Sequence, residues 1–270
     1  MSPLRGLRWR ERFPTAHAVG YVDDAAPRFT LRARIGIRMP KYTDAIVSRR
    51  EIATPKAEET RERIVDAALT LFRDKGFDET TMRDIAAAAG VATGAAYYYF
   101  RSKEELVMAF YARTAEEART LLPPAIEQSK DLRKRLRAVI DMKFQQFAEH
   151  RRLLIAIVRI GIDPLHPLSP FGQETQAMRE ESIETFRIAI DGSTTKIPKD
   201  VHDDLPTLLW MYQMAVILFW MFDQSKGQRK TKLLVDGTLE LIVRLIQLAS
   251  LPLMGPMRKK LVGLLRAIEE

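Results

Sequence analysis

Thr80-Thr-Met-Arg-Asp-Ile-Ala-Ala-Ala-Ala-Gly-Val-Ala-Thr-Gly-Ala-Ala-Tyr-Tyr-Tyr-Phe100, continuing into Arg101-Ser-Lys-Glu-Glu-Leu106, decides the fold. Thr80 or Thr81 can cap a helix on which Ile85, Ala86 and Ala89 share a face, with alanines small enough for a close helix crossing. Gly90 admits a left-handed turn residue, and Val91 fills the corner behind it. A second short helix over Thr93–Phe100 completes a pattern with the length and composition of a helix-turn-helix, the device that sets a helix into a DNA major groove.

An ordinary helical hairpin would share the alanines and the glycine. What favours the DNA reading is Tyr97-Tyr98-Tyr99, because three adjacent side chains on one short helix cannot all face one core. A tyrosine left outside can donate its hydroxyl to a phosphate. The N-terminus of the next helix, with Lys103 in its first turn, offers further donors to the same backbone. Ser102 with Glu105 reads as a capping box that opens that helix.

Upstream, Ile64, Ala67, Ala68, Leu71 and Phe72 recur at helical spacing, and Gly76 ends the helix after Arg73 and Lys75. Downstream of Pro123-Pro124 the helices are longer and more apolar: Leu132–Glu149, Arg151–Gly161, Gln173–Ile190, Lys199–Asp223, Arg229–Leu251 and a last piece over Pro256–Ile268. With no alternating strand pattern and no internal repeat, the fold class is all-α.

From about Arg61 to Leu106 the chain resembles the DNA-binding domain of the tetracycline-repressor (TetR/AcrR) family. The resemblance is carried by Ile64, Ala67-Ala68, Phe72, Gly76-Phe77, Thr81, Ile85-Ala86, Ala89-Gly90-Val91, Gly94, Tyr97, Tyr99-Phe100 and Ser102-Lys103-Glu104. It implies an N-terminal three-helix helix-turn-helix domain and a C-terminal helical domain for ligand binding and dimerisation. It also implies that Thr81 and Arg83, with Thr93, Gly94 and Ala95, approach the groove, and that Tyr97, Tyr98, Tyr99 and Lys103 hold phosphates. Arg83 is the candidate base reader, since a guanidinium grips guanine O6 and N7 together; a phosphate contact or a solvated charge is the alternative. Ala92, Thr93 and Ala95 depart from the family pattern, where hydroxyl or longer polar residues are frequent, so methyl contacts and DNA shape would carry more of the readout.

The organisation expected is an extension over 1–52, the helix-turn-helix domain over 53–106 and the effector and dimer domain over 107–270. A palindromic operator in double-stranded DNA calls for a homodimer. The resemblance assigns its interface to the last two long helices, with Leu209, Tyr212, Val216, Phe219 and Trp220 on one stripe and Leu234, Leu241, Leu245 and Leu248 on the other, burial within the monomer being the alternative reading of both stripes. A small hydrophobic effector would need a pocket in the helical body. Candidate lining residues are Met142, Gln146, Phe147 and Arg159, then Met178 and Phe186, and finally Trp210, Gln213, Met214 and Met221. Plain core packing is the competing reading for this Met and aromatic set. Arg159 can pair with an anionic ligand or reach water along its own stem.

Composition narrows the classes. The formal charge is +8, but residues 1–52 hold 11 Lys/Arg against 5 Asp/Glu. The module over 53–103 balances eight basic against eight acidic residues, so DNA affinity there must come from placement of charge and not its sum. The extension reads as a disordered basic arm, a targeting peptide or a non-functional extension from an early start, with Met39 an alternative first residue. Without cysteine there is neither a disulfide framework nor a thiolate metal site, which suits a cytoplasmic protein. His166, in Asp163-Pro-Leu-His-Pro, reads as a solvated loop residue before a ligand or metal contact. Leu205–Phe222 reaches the minimum length of a membrane span, yet one isolated segment without a flanking positive run reads better as a buried or interfacial helix. No phosphate loop, metal-spaced cluster or nucleophile with a base supports an enzyme or a cofactor. The rival readings are a protein of the same fold without an effector, acting architecturally or through a protein partner, and a helical interaction module.

Overall fold

The computed structural model describes residues 54–260 and 263, and every regular element among them is helical. The extension over 1–52 and residues 264–268 of the expected last helix lie outside the described residues. Helix α1, Pro55–Asp74, starts where the Thr54 hydroxyl accepts from the Ala57 N–H at 3.3 Å and Pro55 occupies the first turn. It buries Ile64, Val65, Ala68, Leu69 and Phe72.

Helix α2, Met82–Ala88, carries a full capping box that the sequence reading placed elsewhere. The Asp84 N–H donates to the Thr81 hydroxyl at 3.1 Å, and the Thr81 N–H donates to the Asp84 carboxylate at 3.0 Å. Gly90 then turns the chain with φ +65° into α3, Thr93–Tyr99. At the expected Ser102 box only half forms. Ser102 Oγ accepts from the Glu105 N–H, while the Glu105 carboxylate reaches one residue further back, to the Arg101 N–H at 2.8 Å.

Helix α4, Lys103–Glu127, overrides the expected break at Pro123-Pro124 and crosses the 106/107 boundary. Two prolines remove two helix donors, a local cost. Long-range contacts offset it: Leu122 and Ile126 are buried on either side, and the buried Arg135 guanidinium donates to Ile126 O at 2.6 Å and Ser129 O at 3.1 Å. Arg135 also donates to Ala189 O and Ile188 O, closing the end of another helix. Gly192 makes room for it, since a Cβ there would lie 1.9 Å from the guanidinium.

Helices α5 (Leu132–Phe147), α6 (Arg151–Gly161) and α7 (Gln176–Asp191) follow, α5 and α6 being joined by a 3-10 turn over Ala148–His150. The single helix expected over Lys199–Asp223 is two, α8 (Lys199–His202) and α9 (Leu205–Phe222), because Pro206 restarts the chain in the first turn of α9. Helix α10, Arg229–Ala249, is the last long one, and residues 255–260 are again helical.

Two apolar clusters result. The first joins α1 to α3 with the start of α4, with Leu153, Leu154 and Ile157 of α6, and with Ile217, Trp220 and Met221 of α9. The second holds the end of α4 together with α5, α7, α9 and α10. The helix-turn-helix thus shares its apolar cluster with α6 and the end of α9.

Candidate DNA-binding face and ligand cavity

In the helix-turn-helix, burial separates two faces. Met82, Ile85, Ala86, Ala89, Ala96 and Phe100 are buried against α1, whereas Thr81, Arg83, Thr93 and Gly94 are exposed. Tyr97 and Tyr98 stand 50% and 59% exposed; Tyr99 packs against the core, with its ring edge-on to Tyr98 at 5.3 Å. Ala95 is half-buried. Arg83 makes no ion pair with any described residue, and a Cβ at Gly94 would meet nothing within 4 Å, so internal packing does not demand a glycine there. Lys103 departs from its expected role. Its ammonium donates to Phe77 O at 2.6 Å and Asp78 O at 3.3 Å and lies 4.6 Å from the Phe77 ring centre, which commits it to tying α4 to the turn after α1.

A cavity of about 570 Å³ opens in the body among α4, α5, α6, α7 and α9. Of the ten residues expected to line a pocket, Phe147, Met178, Trp210, Gln213, Met214 and Met221 do so. Four do not. Met142 and Phe186 are buried in the second cluster, Gln146 turns its amide to Thr114 O at 2.8 Å, and Arg159 is exposed on α6. Helical periodicity tells a buried face from a solvated one but cannot tell a filled interior from a hollow one.

Most of the polar lining is what sequence reasoning missed: Tyr111 and Thr114 of α4, Lys143 of α5, Thr175, and Arg179 and Ser182 of α7. Lys143 was legible as a cation on the apolar stripe Leu136, Val139, Ile140, Phe147, a pattern that puts it inside. Burial pushes its ammonium down to about 8, against the opposing pull of Glu181 and Glu117. Burial raises the Tyr111 phenol in the same way. His166 is structural: its Nδ1 accepts from the Leu168 N–H at 3.1 Å, shaping the loop beside the cavity mouth. No group of acidic or histidine side chains among the described residues could hold a metal.

Helix α6 ties the cavity to the helix-turn-helix. Its C-terminal half lines the cavity through Ile157, Val158 and Gly161. At its start, Arg152 donates to Asp74 O at 2.7 Å, where α1 ends, and Arg151 donates to Met221 O at 2.8 Å and Asp223 O at 2.7 Å, where α9 ends.

The α9 stripe divides between burial and exposure. Leu209, Val216 and Trp220 are buried within the monomer, and Tyr212 is half-buried, its hydroxyl 2.5 Å from that of Thr238. The large apolar side chains left exposed include Met211, Leu218, Phe219 and Phe222 of α9, the first two also lining the cavity, and Leu241, Leu245 and Leu248 of α10. Leu234 is half-buried. Helix α9 is long and apolar enough to cross a membrane, and half of it is buried in the fold.

Two family models match this chain: "Bacterial regulatory proteins, tetR family" over residues 64–110 and "Tetracyclin repressor-like, C-terminal domain" over residues 135–261. The chain belongs to the tetR family of bacterial regulatory proteins, a family of regulators and not of enzymes. It is similar to the HTH-type transcriptional regulator SrpR of Pseudomonas putida, 47% identical over 57 residues that make up 21% of this chain and 27% of SrpR. With the uncharacterized HTH-type transcriptional regulator YerO of Bacillus subtilis it shares 30% identity over 116 residues, 39% of this chain and 37% of YerO. The chain thus spans little more than a third of these curated relatives at most. A TetR transcriptional regulator from Nitrosomonas europaea has the same fold, with a TM-score of 0.53 at 20% identity, covering 68% of this chain and 97% of that one.

Proposed function

We propose that this protein is a cytoplasmic, homodimeric regulator that represses transcription from a palindromic operator and is released from it when a small apolar molecule occupies the cavity. The observation that carries the reading is the two-faced helix-turn-helix. Arg83, Thr93, Tyr97 and Tyr98 are exposed on helices whose opposite sides are fully packed, in a module whose charge balance gives no reason for exposed aromatic rings. In this arrangement Thr93 and Gly94 let α3 approach the groove closely, Arg83 reads a base, Tyr97 and Tyr98 donate to phosphates, and Thr81, Ala95 and Tyr99 support the contact edge. Lys103 acts indirectly, by holding α4 against α1.

The exposed strip on α9 and α10 supplies the isologous interface. The cavity supplies the switch: a ligand pressing on α6 would shift Arg152 and with it the end of α1, changing the spacing of the two recognition helices. The test is selection of bound sequences from random duplex DNA with the full chain, alongside Arg83→Ala and Tyr98→Ala. We expect an enriched palindrome, relaxed at one position by the first substitution and weakened overall by the second. Folded, dimeric protein that enriches no sequence would sink the reading.

A further inference from the structure

The cavity wall is mostly apolar, and three of its polar side chains, Lys143, Gln213 and Tyr111, make no hydrogen bond to a described residue. Lys143 is only 8% exposed and donates no hydrogen bond to any described residue; its ammonium lies 5.7 Å from the centre of the Phe147 ring. Gln213 is 2% exposed, and its amide also lacks a partner among the described residues. The Tyr111 hydroxyl, on a half-buried side chain, likewise has no hydrogen-bond partner among the described residues. A buried ammonium without a counter-ion is among the most costly features a helical core can carry.

The neighbouring carboxylates do not resolve that cost. Glu181, the largest source of charge acting on Lys143, is held by both nitrogens of the Arg119 fork, at 2.5 and 2.8 Å. Glu117 accepts from the Gln146 amide at 3.2 Å. The second cation on the wall, the half-buried Arg179, donates through Nη1 to Pro170 O at 2.9 Å and Gly172 O at 3.2 Å. Lys143 is therefore the one buried cation on the described cavity wall that donates no hydrogen bond to a described residue.

We infer that the cavity takes an elongated apolar molecule with a single anionic head, a carboxylate, whose charge is met by Lys143 while Gln213 and the Tyr111 hydroxyl donate to the remaining lone pairs. The inference rests on the cavity being the ligand site and adds the chemical class. A cationic ligand would place a second positive charge beside Lys143. A neutral one would leave the ammonium as unpaired as before. A carboxylate converts the cost into a charge-assisted hydrogen bond in a low-dielectric wall. At about 570 Å³ the space accepts a medium-length alkyl or aryl-alkyl chain.

The test uses the full chain and three probes of equal length, decanoate, decan-1-ol and decylamine, followed through the fluorescence of Trp210 in the cavity wall. Decanoate is expected to bind at least about tenfold more tightly than decan-1-ol, and decylamine the most weakly. Lys143→Met should remove the preference for decanoate while leaving decan-1-ol binding intact or improved, and Lys143→Arg should keep it. A cavity-filling Val158→Trp variant should block every probe. Equal affinities for decanoate and decan-1-ol, or a preference that survives Lys143→Met, would overturn the anionic-head inference and leave the cavity standing as a ligand site. If no probe binds, or if Val158→Trp blocks none, the cavity reading itself fails and takes the inference with it.

Discussion

The helix-turn-helix and the helical body are built from the same helices and solve opposite problems. Around α1 to α3 the interior is filled: Ile64, Ala68, Phe72, Ile85, Ala86 and Ala96 have no exposed surface, and Phe72 and Phe77 lie 5.1 Å apart. In the body the helices stand apart around a void and hold a lysine inside it. Function in the first region sits on the outer face of a rigid support; in the second it sits in the space that packing leaves empty. A close-packed module keeps its contact edge in register, whereas a hollow one can change shape when filled.

The largest effect that would break this contrast is in the packing. Phe72→Ala should cost about 3–5 kcal/mol in denaturant unfolding, because a full void opens in a packed core. Val158→Ala, on the wall of an existing cavity, should cost about 1 kcal/mol or less. Similar losses at the two sites would mean the cavity is not hollow in solution.

Next in size, Arg83→Ala should lower operator affinity by about 1–3 kcal/mol and relax one base position, with no shift in unfolding midpoint. A matching loss of stability would show that Arg83 acts inside the fold. Lys143→Met should move stability the other way, raising it by about 1 kcal/mol in the ligand-free protein as a buried unpaired charge is replaced by an apolar chain. A destabilised Lys143→Met would mean the ammonium has a partner in solution and is not waiting for one.

The smallest effects concern the capping box of α2. Thr81→Ala should cost about 1 kcal/mol. Asp84 adds a dependence on pH: the hydrogen bond from Lys75, then those from Thr81, hold its carboxyl at about 2 in the folded chain against 3.8 in the unfolded one. Its contribution is therefore complete above about pH 4 and lost as pH falls through about 2, since protonation first favours the unfolded state. Asp84→Asn should flatten that part of an acid-unfolding profile. An unchanged profile would show the box to be open in solution.

Local chemistry made the helix-turn-helix legible. Gly90 needs a positive φ, Thr81 needs a donor to cap, and the alanines need a close crossing; each is a property of a few adjacent residues, and α1 to α3 appear within a residue or two of where those signals put them. Arg151–Gly161 was legible for the same reason. The body was less so wherever distant groups decide. Pro123-Pro124 reads as a break, yet buried Leu122 and Ile126 and the reach of Arg135 from α5 hold the helix through it. Pro206 marks the restart at α9 locally, although the apolar run around it reads as one continuous helix.

The sequence by itself determined the all-helical class, the helix-turn-helix and the segments with an apolar face, because hydrophobic period, caps and turn residues act over one or two helical turns. Only the tertiary structure decided which apolar faces meet and which stay apart. That choice placed Met142 and Phe186 in solid core but Trp210 and Met214 on a cavity wall, tied Lys103 to the turn after α1, and left Phe219 exposed while burying Leu209 and Trp220. A side chain's period records that it leaves water; whether it meets another side chain, a ligand or a second subunit depends on helices far away in the chain.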